Sequence, residues 1–160
     1  MTIPRFLRGG SLLLVMTSVI VSQSIGPGDA WQWLIKGPLS APNGEEYFAT
    51  TLKDRVVPRG LVAPYFQGVL VSITPETVGV RRLLLSMDGT HKADVTILLR
   101  GQMAKLKSEP KKGSVVHFSG VVQKFTKEPF MVTFQVNRLG SFVDFVKSSE
   151  RNSKSPTTSK

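Results

Sequence analysis

Lys112-Gly113-Ser114-Val115-Val116-His117-Phe118-Ser119-Gly120-Val121-Val122 is the most regular stretch of the chain. Val116, Phe118, Gly120 and Val122 alternate with Val115, His117, Ser119 and Val121, the period of two that a strand requires. Both faces are partly apolar, and the strand is expected to run from Ser114 to Phe125. Lys111-Lys112-Gly113 launches it.

Working outward, Glu128-Pro129 turns the chain into a second strand, Met131 to Val136, with Val132, Phe134 and Val136 on its apolar face. Upstream lies a meander of three strands. Tyr65 to Ile73 places Phe66, Gly68, Leu70 and Ser72 on one face and Val69, Val71 and Ile73 on the other; the Val-rich face is expected to point inward. Arg82 to Met87 carries Leu83, Leu84 and Leu85, and Asp88-Gly89 opens a hairpin loop lengthened by His91-Lys92. Ala93 to Leu99 follows, with Val95, Ile97 and Leu99 on one face. Between meander and final pair, Met103 to Leu106 allow about two helical turns, stopped by Pro110. Ser141 to Val146 reads as a last strand or a terminal turn over the barrel mouth.

Three meandering strands, a short helix and two further strands resemble the five-stranded OB-fold barrel over about 65–139. The expected fold is therefore mainly β, an OB-like barrel with a short helix between its third and fourth strands, preceded by an N-terminal signal helix. Tyr47-Phe48, Lys53 to Pro58, Phe66-Gln67-Gly68 and Pro129 to Phe134 are similar to a poorly characterised domain of exported acidobacterial proteins. That resemblance implies a stand-alone exported domain and carries over no catalytic residue. A fold of this kind hosts many unrelated binding tasks.

The leader supplies the compartment. Arg5 and Arg8 precede an uncharged apolar run from Ser11 to Ile25, and small residues follow at Gly28-Asp29-Ala30 and Ser22-Gln23-Ser24. A basic start, a short apolar middle and a small-residue exit make a secretory signal peptide. Cleavage is expected after Ala30. The alternative is an uncleaved inner-membrane anchor with Trp31 and Trp33 at the outer interface, the run being shorter than the roughly 20 residues of a comfortable span. Either way the domain is expected outside the cytoplasm, periplasmic or secreted, and membrane association follows only if the leader stays. Four regions result: residues 1–30 as leader, 31–63 as a connector with a possible edge strand at Glu46 to Leu52, 64–146 as the barrel, and 147–160 as a disordered basic tail.

Chemistry-bearing motifs are sparse. The chain has no cysteine, which removes disulfides, thiol catalysis and a lipidated cysteine. His91 and His117 are the two histidines and sit at no zinc-like spacing. Asp88 and Asp94 bracket one hairpin, and paired carboxylates divide acid and base roles only where their environments differ. Nothing in the sequence gives them different environments, and Asp before Gly is what a turn needs. Neither a nucleophile elbow nor a phosphate-binding glycine loop is present. No cofactor, metal or catalytic residue is expected.

Charge is the remaining signal. There are 21 Lys and Arg against 11 Asp and Glu, a net charge of +10. Such a surplus favours anionic surfaces or serves solubility. Arg82, Arg100, Lys124 and Lys127 are expected to rim a ligand groove. Phe118 and Phe134 read as core, leaving Tyr65, Phe125 and Phe130 as candidate exposed rings. The expected function is an exported, non-enzymatic binding or interaction module of the bacterial cell envelope, with a protein or an anionic envelope component as partner. Its alternatives are a single-stranded nucleic-acid binder, against which export argues, and an envelope enzyme with an unrecognised site.

Overall fold

The computed structural model describes residues 26–59, 63–106, 109–137 and 140–146. The expected leader through Ile25 and the tail 147–160 lie outside the described residues. Strands are β1 (Val56–Val57), β2 (Phe66–Thr77), β3 (Val80–Ser86), β4 (Val95–Arg100), β5 (Val115–Thr126), β6 (Met131–Val136) and β7 (Phe142–Val146). The meander β2–β3–β4 is antiparallel, β4 meets β6 in parallel, β6 pairs β5, and β5 returns to β2 through Phe66 opposite Phe118. That circuit closes a five-stranded OB-like barrel and removes its free edges. β1 and β7 are additional, each laid antiparallel against β5.

β5 reads as its alternation foretells. Val116, Phe118, Gly120 and Val122 are buried, and β4 and β6 likewise bury Val95, Ile97, Leu99, Val132, Phe134 and Val136. β2 reverses expectation. Phe66, Gly68 and Leu70 point inward, while Val69 and Val71 are only half-buried. The cause is a bulge at Val71: Leu70 pairs with Leu85 but Ser72 pairs with Leu84, so one extra residue shifts the phase. Past the bulge Ile73 faces Leu83 and packs on the core, which is why both faces look apolar in sequence. Another bulge, at Gln123, lets β5 turn from β2 toward β6.

Gly120 makes that turn sterically feasible. A Cβ there would sit 3.1 Å from the Phe134 Cβ and 3.2 Å from the Gln135 carbonyl oxygen. The expected two-turn helix is a single 3-10 turn, Gly101–Ala104, entered through Gly101 at φ +61. Met103, Ala104 and Leu106 still pack against the core.

The largest departure is the connector. Pro27–Trp31, Gln32–Lys36 and Gly37–Ser40 run on as one helical segment, and Gly44–Tyr47 with Phe48–Leu52 form a second. Glu46 to Leu52 is therefore helical rather than an edge strand. Gly37-Pro38 is a helix-breaking pair in sequence, because proline lacks an N–H and crowds the carbonyl four residues back. The helix passes by widening instead: the Gly37 N–H bonds the Gln32 oxygen, five residues back. The Leu34 carbonyl, left without Pro38 as donor, accepts the Tyr47 hydroxyl at 3.0 Å. That bond ties the two helices together. The turn between them is equally tight, since a Cβ on Gly44 would lie 2.2 Å from the Leu39 oxygen.

This helical pair caps the core. Ala30, Trp31, Ile35, Leu39 and Leu52 are buried in one cluster with the barrel interior. Trp31 meets Phe66 edge-on at 5.5 Å and Phe134 at 6.4 Å, beside the Phe66–Phe118–Phe134 cluster. A buried indole of this kind removes about 150–250 Å² from water. Trp31, expected at a membrane interface if the leader stayed, is therefore core; Trp33 is 73% exposed. Cleavage after Ala30 would cut inside the first helix.

Candidate functional site

The predicted basic rim separates into two pairs. Arg82 pairs with Leu98 and Arg100 with Val80, so the two arginines are diagonal neighbours on one face of β3–β4. Arg82 is engaged by the Glu76 carboxylate. Lys124 lies opposite Thr133 on β6, and Lys127 is exposed in the β5–β6 turn. β6 stands between β5 and β4, hence between the pairs. The candidate rings also divide. Phe125 meets Phe48 at a tilt and Phe130 edge-on, and Phe130 lies against Trp31 and under the Lys36 ammonium at 4.5 Å, so both serve the cap. Tyr65 stacks on His117 at 4.2 Å with Phe142 edge-on at 6.5 Å. His117 Nε2 and Gln67 Oε1 are 3.0 Å apart.

Asp88 and Asp94 do occupy different environments, which their sequence did not indicate. Asp88 is exposed; the Thr90 hydroxyl at 2.6 Å, the Thr90 N–H and the Ser86 hydroxyl hold its carboxyl down at about 2. Asp94 is buried, and desolvation pushes its carboxyl up despite the Met87 N–H at 2.9 Å and the Lys36 ammonium at 3.6 Å. Oδ1 serves the β3–β4 loop and Oδ2 the cap, so both oxygens are spent on joining elements. Among the described residues no three His, Asp or Glu side chains converge as a metal site.

An open groove of about 1000 Å³ lies elsewhere, between the helical cap, the segment leading through β1, and the start of β7. Ser119, 3% exposed, lies on β5 opposite Phe142. Leu34, Leu52, Val57, Pro64 and Phe142 supply apolar lining. Arg55 and Arg59 line it too, are exposed, and have no carboxylate partner among the described residues. Asp54 is the acid on the lining, with Oδ1 accepting from the Gln123 side chain at 3.3 Å. None of Arg82, Arg100, Lys124 and Lys127 lines this groove.

The backbone explains why these arginines gather here. The Asp54 N–H bonds the Val122 oxygen at 2.8 Å and the Val122 N–H bonds the Arg55 oxygen at 3.0 Å, pinning the segment to β5. Asp54 adopts φ +60 to make that turn. In sequence Lys53, Arg55 and Arg59 form a basic stretch punctuated by Pro58 and Pro64, but nothing in it places the stretch against β5 while 27–52 is not known to be helical. No protein-family model matches the chain, and no curated protein matches it.

Proposed function

We propose that the chain is an exported, non-enzymatic binding module of the bacterial cell envelope that takes an anionic partner in the groove between cap and barrel. The observation that carries this reading is the pairing of Arg55 and Arg59, both free of carboxylate partners among the described residues, on one concave surface. Two guanidinium groups beside a sheltered wall favour carboxylate or phosphate, which they can grip bidentately. The net charge of +10 adds long-range attraction for the same class of partner. The basic, then apolar, then small-residue leader supports export.

The test titrates the full chain with fluorescein-labelled polyglutamate and with single-stranded oligo-dT. Charge reversal at the groove, Arg55→Glu with Arg59→Glu, is expected to weaken polyglutamate binding at least tenfold. The same reversal at Arg82 and Arg100 is expected to change it less than threefold. Equal losses from both double variants would reduce the effect to net charge and sink the groove. Preferential binding of oligo-dT, falling steeply with salt, would favour the nucleic-acid reading instead.

A further inference from the structure

Resting on the groove reading above, we infer that the occupant is a protein segment in which carboxylates alternate with apolar side chains, rather than a uniformly charged polymer. The wall is the reason. Leu34, Leu52, Val57, Pro64 and Phe142 line the same concavity as Arg55 and Arg59. A bare polyanion gains nothing from such a wall and keeps its own hydration there. An apolar side chain buried against it gains about 25 cal/mol for each Å² removed from water.

Charge spacing points the same way. Asp54 lies on the lining with the two arginines, so the cationic surface is interrupted. A continuous run of negative charge meets repulsion at Asp54, whereas an extended peptide can set an apolar residue there and place carboxylates on either side. An extended peptide points successive side chains to opposite faces, which suits a groove with one apolar wall and a charged rim.

Two nearer occupants fail on complementarity. Residues 147–160 of this chain hold Lys147, Arg151, Lys154 and Lys160 against Glu150, so the tail is basic like the rim. A second copy brings another +10. The partner is therefore a different, acidic protein segment.

The experiment compares four probes on the full chain by fluorescence anisotropy: a ten-residue peptide alternating Glu and Phe, its Glu/Ser version, its Gln/Phe version, and polyphosphate. The Glu/Phe peptide is expected to bind at least tenfold tighter than the Glu/Ser and Gln/Phe peptides and than polyphosphate of equal charge. Arg55→Glu with Arg59→Glu should abolish that preference, and Phe142→Ser should reduce it at least threefold while leaving polyphosphate unchanged. If Glu/Ser or polyphosphate binds as tightly as Glu/Phe, and the arginine variants weaken it, the occupant is wrong and the groove survives. If no probe responds to the arginine variants, the groove reading itself falls. A Gln/Phe peptide as tight as Glu/Phe makes the site merely apolar and overturns the inference.

Discussion

Asp94 shows how one buried carboxylate can join two parts of a chain at a net electrostatic cost. Its oxygens receive the Met87 N–H from the barrel and the Lys36 ammonium from the cap, yet burial raises its carboxyl above the ordinary 3.8. A folded-state pKa above the unfolded one means that the native state binds the proton more tightly. The stability this group contributes is then full below pH 3.8 and is lost as pH rises through its folded value. Asp88, held at about 2, behaves oppositely: its contribution is present above 3.8 and disappears as pH falls toward 2. Asp88 is exposed, so solvent screening keeps its share below about 1 kcal/mol. Asp94→Asn retains an acceptor for the Met87 N–H and removes the buried charge. At pH 7 it should match or exceed the parent by up to about 1 kcal/mol. Lys36→Met leaves the carboxylate buried without its cation and should cost about 1–3 kcal/mol, less than for a fully buried pair because Lys36 is 35% exposed. Urea unfolding at pH 7 ranks the two; an Asp94→Asn variant less stable than Lys36→Met would contradict this account. Repeating the comparison at pH 4 should narrow the advantage of Asp94→Asn, because the parent's carboxyl is then partly protonated.

Between elements, the Tyr47 hydroxyl donates to the Leu34 carbonyl, and Pro38, four residues on, has no N–H to compete for it. Tyr47→Phe should therefore cost about 1 kcal/mol, the worth of a partly buried hydrogen bond. Pro38→Ala restores a donor within the helix, so in that background Tyr47→Phe should cost less, with a coupling of at least about 0.5 kcal/mol in a double-mutant cycle. Strict additivity would mean that the missing N–H of Pro38 has no part in this bond. The same locality decides what a sequence reader can see. Strands β4 and β6, and β5 as far as its bulge at Gln123, were legible because each keeps a period of two against a single core. β2 was misread by face because the bulge at Val71 changes phase where nothing in Val69-Leu70-Val71-Ser72 announces it. The helical pair was illegible because Gly37-Pro38 and Thr50-Thr51 carry breaker and strand signals. Those signals are overridden by a widened turn, by the Thr50 hydroxyl bonding the Glu46 oxygen at 2.8 Å, and by burial of Leu39 and Leu52. The groove inherits that blindness. Its arginines belong to a basic stretch of sequence, but one wall is the cap, and the cap was read as connector.

At the scale of the whole molecule, the domain begins earlier than the barrel and earlier than the expected cut after Ala30. Ala30 is fully buried, its N–H bonds the Gly26 oxygen at 2.9 Å, and the turn it completes sets Trp31 against Phe66, Phe130 and Phe134. A chain starting at Trp31 loses that turn and places a charged amino group on a residue only 3% exposed. Residues 31–160 should therefore unfold at lower urea than 26–160, with a deficit of about 1–3 kcal/mol from the lost turn, the lost Ala30 contact and the desolvated charge. Fluorescence can follow this directly, because Trp31 is buried and Trp33 is 73% exposed. In a Trp33→Phe background the emission reports Trp31 alone; it should be blue-shifted in 26–160 and move to the red in 31–160 if the cap loosens. Trp33→Phe itself should change stability by less than about 0.5 kcal/mol, as expected of an exposed side chain. Equal stability and identical emission for the two chains would show that the first turn is dispensable and that a cut after Ala30 leaves the fold whole. The expected difference instead places residues 26–30 inside the folded unit.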